Sequence, residues 1–224
     1  MARLFDSGSS EYLMVSSALP TAPPLTFACW VMMDSVAEAD CFMSLGYSAA
    51  NSVERIYLYQ WSDGVISFTE GSDGEATGIA QATAGLTVDT WHHVCGVSAS
   101  HSSRACYVDG GNKGTDSTTV TADNLDRTYI GRRRTDRAGW GGEMYMNGRI
   151  AECGIWNVAL TDAEVAILAM GFSPLFVRPQ NLVAYWSLIR DEDQDRVGGY
   201  DMTAYNTPGI ATHPAIIYPT SPHY

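Results

Sequence analysis

Along the first 160 residues, short apolar runs are punctuated by clusters of Gly, Asp, Ser and Asn, and few segments carry a helical period. Alternation at period two between turn signals is the pattern of strands. It predicts strands over 12–15, 25–33, 41–47, 55–61, 65–69, 78–82, 91–98, 104–109, 127–131 and 144–156, a set of short strands that suits an all-β sandwich or jelly roll. In 25–33 both alternating sets are apolar: Leu25, Phe27, Cys29, Val31 and Met33 on one side, Ala28, Trp30 and Met32 on the other. That strand is expected at the centre of a sheet, covered on both faces. In 55–61, Ile56 and Leu58 point one way while Tyr57, Tyr59 and Trp61 point the other. This aromatic stripe reads either as a second layer of core or a subunit contact, or as a stacking platform for sugars or a partner surface.

One helix is signalled. Thr161-Asp162-Ala163-Glu164 forms a Thr-x-x-Glu capping box, Val165, Leu168 and Ala169 give an apolar stripe, and Gly171 is placed to end it. A connector over 172–179 leads to a further strand over 182–188, and four of the nine prolines (208, 214, 219, 222) fall in the last 17 residues. Proline is excluded from sheet interiors, so residues 207–224 are expected to form an extended arm behind a single domain, 1–206, whose segment 182–206 supplies closing strands.

The 224 residues carry 13 Lys+Arg against 25 Asp+Glu, a net charge of −12. That balance repels phosphate backbones and disfavours nucleic-acid binding. No run approaches the roughly 18 apolar residues of a membrane span, and the start, Met1-Ala2-Arg3-Leu4-Phe5-Asp6-Ser7-Gly8, lacks the apolar stretch of a secretory leader. Five cysteines without a Cys-x-x-Cys pair fit neither a zinc cluster nor a disulfide framework and read as buried thiols.

Several pieces in order resemble the laminin G-like, concanavalin A-like jelly rolls, and in places their pentraxin branch. They are Phe5-Asp6-Ser7-Gly8-Ser9-Ser10-Glu11-Tyr12-Leu13, Leu25-Thr26-Phe27-Ala28-Cys29-Trp30-Val31, Trp91-His92-His93-Val94-Cys95-Gly96-Val97, Tyr107-Val108-Asp109-Gly110, Tyr129-Ile130-Gly131, and the stretch from Gly148-Arg149-Ile150 to Leu160-Thr161. The resemblance covers about residues 4 to 171 and implies a two-sheet sandwich with the helix at its edge. The segment 182–201 looks like an opening strand and turn that many members carry before the Phe-Asp-Gly-Ser piece, displaced here to follow the helix. With the tail His213-Pro214-Ala215-Ile216-Ile217-Tyr218-Pro219, that order is similar to jelly-roll proteins of tailed-phage virions. Cys29 and Cys95 fall where pentraxins place an inter-strand disulfide, which implies neighbours across paired strands that stay as thiols in a reducing cytoplasm.

Glycosidases of this fold need two carboxylates about 5 to 9 Å apart. No strand carries a Glu-x-Asp-x-x-Glu pattern: Glu143 and Glu152 are nine residues apart, and Glu38 and Asp40 fall in an expected loop. With no Gly-x-Ser-x-Gly elbow and no phosphate loop either, the chain reads as non-enzymatic. His92 and His93 are adjacent in a strand, face opposite sides and cannot share a metal; one is expected buried and hydrogen-bonded, the other exposed. The acidic run 191–195 lacks an EF-hand's Gly and Glu, since Arg196 and Met202 stand there. Asp195 and Asp201 form either a looser Ca²⁺ site or a solvated acidic loop; no cofactor is otherwise required. In the place of the pentraxin calcium loop stand Arg132, Arg133, Arg134 and Arg137, so that site is not carried over. With Arg127 they hold five of the 13 basic residues within eleven positions. They serve either an acidic partner, whose carboxylates their forks would match, or pairing with Asp123, Asp126 and Asp136. Trp140, in a Gly-rich turn, is the best candidate for an exposed aromatic.

Two functions compete. The first is a virion structural subunit, a capsid decoration protein assembled in the host cytoplasm and displayed on the virion surface. It would form a homo-oligomer and grip the major capsid protein or other virion subunits through the arginine loop and an arm carrying Pro214 and Tyr218. The second is a lectin-like adhesion module on a virion or cell surface, binding cell-surface glycans through Tyr57, Tyr59, Trp61 and Trp140.

Overall fold

The structure, a computed structural model, describes residues 1–17, 19–74, 76–135, 142–190 and 192–219. In chain order the strands are β1 (Ala2–Phe5), β2 (Tyr12–Val15), β3 (Leu25–Met33), β4 (Asp40–Gly46), β5 (Arg55–Gln60), β6 (Val65–Gly71), β7 (Thr77–Gly85), β8 (His92–Ser100), β9 (Ser103–Val108), β10 (Gly111–Asp116), β11 (Arg127–Ile130), β12 (Arg132–Arg133), β13 (Met144–Tyr145) and β14 (Gly148–Trp156). After the helix α1 (Asp162–Ala169) come β15 (Leu182–Trp186), β16 (Thr203–Tyr205) and β17 (Gly209–Ala211).

Two antiparallel sheets face one another as a jelly-roll sandwich. One runs β10-β9-β8-β3-β14-β1-β17, with β15 also beside β14; the other runs β16-β2-β11-β4-β5-β6-β7; β12 and β13 form a separate hairpin. Strand β3 lies at the centre, between β8 and β14. Its Leu25, Phe27, Cys29, Val31 and Met33 are buried in the inter-sheet core with Ile56, Leu58 and Phe68. On its reverse face Ala28 packs in a second apolar layer with Trp156, Val165, Leu168 and Tyr185, and Trp30 and Met32 are half-buried. The helix forms that layer's lid. Its capping box is closed: Glu164 N–H donates to Thr161 Oγ1 at 3.3 Å and Thr161 N–H to Glu164 Oε2 at 2.8 Å. Gly171 ends it at φ +89°, where a Cβ would meet the Ala215 carbonyl oxygen at 2.9 Å.

The segment after the helix closes both sheets. Strand β15 lies along the second half of β14 and β1 along the first, while β16 pairs with β2 at the edge of the other sheet. The continuous strand expected over 144–156 divides between β13 and β14, where Asn147 N–H donates to Asp40 Oδ1 at 2.6 Å.

The extended arm expected after 207 instead returns to the domain. Strand β17 pairs with β1, Ala2 opposite Ala211, and Ile217 brackets Gly171 and Ser173 through two backbone bonds of 2.8 and 3.0 Å. Pro214 is buried. Proline forbids the ladder interior but not an outer face, and here the tail lies on the outside of the eight-stranded sheet. It is fastened at Glu152, 2 % exposed, which sits in a bulge of β14 at φ +57°. Tyr185 and Tyr218 donate their hydroxyls to this carboxylate at 2.6 and 2.7 Å, and His213 Nε2 lies 3.2 Å away. Burial is the largest influence and works against the His213 cation, but the bond and charge of Glu152 together with the Pro214 and Ser187 carbonyls outweigh it, and the net shift is upward.

The five cysteines are free and buried. Cys29 and Cys95 are on paired strands but do not face each other: Cys29 stands opposite Val94 and Cys95 opposite Ala28. One residue of offset sends the two thiols to opposite faces of the sheet, into the two apolar layers. Of the two adjacent histidines, His93 is buried against Trp30 with its Nδ1 unpartnered, whereas His92 Nδ1 lies 2.8 Å from Asp109. The hydrogen-bonded one is therefore the more accessible.

Two tests follow from this packing. A chain ending at Asn206 loses β17 and two partners of Glu152, and its urea unfolding free energy is expected to fall by about 2 kcal/mol or more; an unchanged midpoint would mean that the tail is not bound in solution. Burial holds the His93 pKa down at about 4, below the unfolded value of roughly 6.5. The unfolded chain then takes up the proton first, so this contribution is complete above about pH 6.5 and is lost as pH falls toward 4. Urea midpoints between pH 7.5 and 4.5 are expected to drop more steeply for the wild type than for His93→Gln.

Candidate functional site

Alternation along the seven-stranded sheet sends one set of side chains into the core and the other to an outer face. Across that face the register aligns Tyr129, Ser44, Tyr57, Thr69 and Ile79 on successive strands. The outer row is rich in tyrosine: Tyr12 stacks on Tyr205 at 4.6 Å, Tyr57 on Tyr59 at 4.3 Å, and Tyr59 meets Trp61 edge-on at 5.1 Å. The stripe read from residues 55–61 is thus real, but its members differ. Tyr57 and Tyr59 are buried, with Cys41 and Met144, and Tyr59 accepts a hydrogen bond from Thr69; Trp61 stays half-exposed.

What buries them is the β12–β13 hairpin, laid across the tyrosines. Ser44 Oγ donates to the Arg132 carbonyl at 2.7 Å and fixes its position. The Arg132 guanidinium lies over Tyr12 at 4.4 Å, Tyr129 at 5.3 Å and Tyr145 at 5.6 Å, and pairs with Glu143. Burial disfavours its charge, yet Glu143 more than compensates and its pKa is raised. Arg133, 4 % exposed, lies 5.4 Å from the Tyr57 ring and donates to the Gly142 carbonyl. Arg134 donates to the Tyr47 carbonyl at 3.2 Å and Arg127 pairs with Asp126 at 3.3 Å. With respect to the two readings of the basic cluster, an acidic partner or internal pairing, Arg127, Arg132, Arg133 and Arg134 each make at least one contact within the chain, because a tyrosine face attracts guanidinium groups and nearby carbonyls, Asp126 and Glu143 take some of their donors. Pro214 and Tyr218, expected on a gripping arm, are engaged as described above. Arg137 and Trp140 lie outside the described residues.

Beside the hairpin the outer face opens into a cavity of about 490 Å³, whose lining includes Trp61, Tyr57, Met144, Ile79, Arg55 and Arg133. The two arginines flank the same ring, each 5.4 Å from the Tyr57 centroid. A second cavity, about 560 Å³, lies between β9, β10 and the start of α1. Its charges are satisfied among themselves: Lys113 and Tyr107 both bond Asp162 at 2.8 Å, and Arg104 bonds Asp116.

A family model for the concanavalin A-like lectin/glucanases superfamily matches residues 6–166. The chain belongs to this superfamily. Among solved structures, the heptameric SAP-like pentraxin of Limulus polyphemus is similar at a TM-score of 0.62 and 17% identity, over 94% of this chain and 93% of the pentraxin. A putative carbohydrate binding protein of Bacteroides ovatus gives 0.64 and 19% identity, over 96% of this chain and 61% of that one. Tailspike protein 2 of the Escherichia coli O157:H7 bacteriophage CAB120 gives 0.54 and 16% identity, over 84% of this chain and 28% of the tailspike. At these identities the likeness is one of fold. No curated protein sequence matches the chain.

Within this superfamily member the carboxylates serve the architecture. Asp195 accepts four backbone N–H groups, from Tyr185, Val197, Gly198 and Tyr200, at 2.8 to 3.0 Å, and Asp201 accepts the Asp195 N–H at 2.9 Å. Asp195 and Asp201, suggested as a Ca²⁺ site, organise the turn between β15 and β16 through these backbone bonds. Among the described residues no group of three or more His, Cys, Asp or Glu converges as a metal site. Asp40, expected in a loop, opens β4; burial pushes its carboxyl up to about 7, against the bond from Asn147. It does not line the cavity, whose walls carry no carboxylate among the described residues. Also among the described residues, no helix is long and apolar enough to cross a membrane.

Sequence reasoning found Tyr57, Tyr59, Trp61 and the arginines separately but not that Arg133 sits on Tyr57, and it missed Arg55, Tyr12, Tyr129 and Tyr145. The outward parity of Tyr12 and Tyr129 in their strands was the available signal. If Arg132 holds the hairpin down, Arg132→Ala is expected to cost about 1–3 kcal/mol in urea unfolding and to raise tyrosine accessibility by ultraviolet difference spectroscopy. An unchanged midpoint would assign the hairpin's position to Ser44 and backbone alone.

Proposed function

We propose that this chain is a non-enzymatic carbohydrate-binding, lectin-like adhesion module, and that its site is the cavity between Trp61 and Arg133. The observation that carries this is the cavity's make-up: a half-exposed indole, a tyrosine and a methionine give apolar walls, and guanidinium groups at one side give oriented donors. A sugar ring has an apolar face that stacks on an aromatic and a hydroxyl rim that takes hydrogen bonds, and binding pockets combine these two kinds of wall. The absence of a carboxylate from the described lining supports binding rather than hydrolysis, since glycoside hydrolysis needs an acid and its partner at the bond. The fold likeness to a putative carbohydrate binding protein is in keeping with this reading, and the likeness to a heptameric pentraxin supports a homo-oligomer, in which several weak cavities act together.

A second reading, a subunit on a virion surface, is supported by the likeness to a bacteriophage tailspike. The two are compatible, because a surface subunit adheres through just such a cavity. Capsid decoration by a gripping arm is less well supported, since Tyr218, β17 and Arg132 are engaged within the domain.

Glycan-array binding of the wild type against Trp61→Ala tests the site. The variant is expected to lose about tenfold in affinity, the equivalent of 1.4 kcal/mol, with its urea midpoint little changed. Equal signals from the two proteins would remove the cavity from the reading.

A further inference from the structure

We infer that the cavity selects acidic saccharides, with a sugar carboxylate received by Arg133 and Arg55 while the ring lies against Trp61. The inference rests on the carbohydrate-binding reading above and adds the ligand's charge.

The argument begins with how this chain treats its other buried arginines. Arg104, fully buried, meets the carboxylates of Glu70 and Asp116. Arg3 forks onto Asp193 through both oxygens, at 2.9 and 2.7 Å. Arg132 has Glu143. In a chain with 25 acidic residues against 13 basic ones, a carboxylate for each buried guanidinium is readily found. Arg133 departs from this pattern. Its one hydrogen bond among the described residues goes to the Gly142 carbonyl, and no carboxylate among the described residues lines the space it borders. Arg55 lies at the same distance from the same tyrosine ring and lines the same cavity, so two cations border one small opening.

Like charges so placed repel each other, and water is a poor screen in a space partly closed by aromatic side chains. A carboxylate entering there relieves the repulsion and supplies acceptors for planar guanidinium edges. Such charge-assisted, paired hydrogen bonds are stronger than those to a neutral hydroxyl. Trp61 meanwhile gives the ring carrying that carboxylate a face to stack on. The remaining walls fit this division: Ile79 and Met144 supply apolar surface, and half-buried Thr77 supplies a neutral hydroxyl at the edge.

The test is a glycan array carrying neutral, sulfated and carboxylated members, followed by titration of the full chain with 3′-sialyllactose and trigalacturonate, each against its neutral counterpart, lactose and the trigalacturonate methyl ester. Carboxylated glycans are expected to bind at least about tenfold more tightly than their neutral counterparts, with a preference that falls as salt is raised. Arg133→Gln should abolish that preference. Because Arg133 is buried, Thr77→Glu provides an independent variant: it places a carboxylate at the cavity edge without removing a packed side chain, and should also cancel the preference. Neutral glycans bound as tightly as acidic ones, in a manner that depends on Trp61, would overturn the inference and leave the carbohydrate-binding reading standing. Binding of sulfated members alone would overturn the carboxylate assignment, and an array without any bound member would overturn both.

Discussion

The contact on which the outer architecture depends is that between guanidinium and tyrosine. A sandwich needs only one apolar face per sheet, and the outer face of the seven-stranded sheet could have been polar and wet. Instead it carries Tyr12, Tyr129, Tyr57 and Tyr59, and these are covered because Arg132 and Arg133 lie flat upon them and bring the β12–β13 hairpin with them. Cation–π attraction grows when water is excluded from both partners, and the hairpin does the excluding. The cavity is what the hairpin leaves open: beside Arg133 half-exposed Trp61 and the buried ring of Tyr57 form part of its lining.

The sandwich itself was legible in the sequence for a physical reason. Strand β3 is apolar on both faces because the inter-sheet core lies on one side and the layer under α1 on the other, and period-two alternation reports burial on each face separately. The helix was legible because its cap is written in four consecutive residues. The site was legible only in parts. Parity along β5 showed that Tyr57, Tyr59 and Trp61 share a face, but the group that covers them lies about 75 positions further on, in a segment whose own alternation is two residues long. Arginines in a Gly-rich loop carry no local mark that says whether they will meet a partner or their own chain's tyrosines. The tail misled for the opposite reason: prolines report what a backbone cannot do, and say nothing of a surface on which it may rest without a ladder. The same holds for Cys29 and Cys95, where a one-residue register difference, invisible in either strand alone, separates two thiols that the family resemblance placed together.

The buried polar groups fall into two kinds. Glu152, Asp195, Arg104 and Arg3 are enclosed in partners from distant parts of the chain, and each joins segments that the sheets alone would not hold: the tail to β14, the turn to β15, one sheet to the other, the first strand to the loop before β16. Their value is in closing loops and in rejecting other registers, since an unpaired member would be costly. Arg133 belongs to the other kind, a charge beside an aromatic ring with no carboxylate partner among the described residues, and such incompleteness is what distinguishes a place for a ligand from a strut.

The tail's return to Glu152 has a consequence for how the domain is displayed. Strand β1 runs antiparallel to β14 with Arg3 opposite Ile150, so Met1 comes to lie near the bulge at Glu152, where Tyr218 also ends. Met1 and Tyr218 thus lie at neighbouring points on the eight-stranded sheet, while Trp61 looks out from the far sheet. An attachment made beside Met1 and Tyr218 holds the domain from one spot on its back. The cavity then points away from whatever carries it, as the cup of a hand faces away from the wrist when an arm is raised.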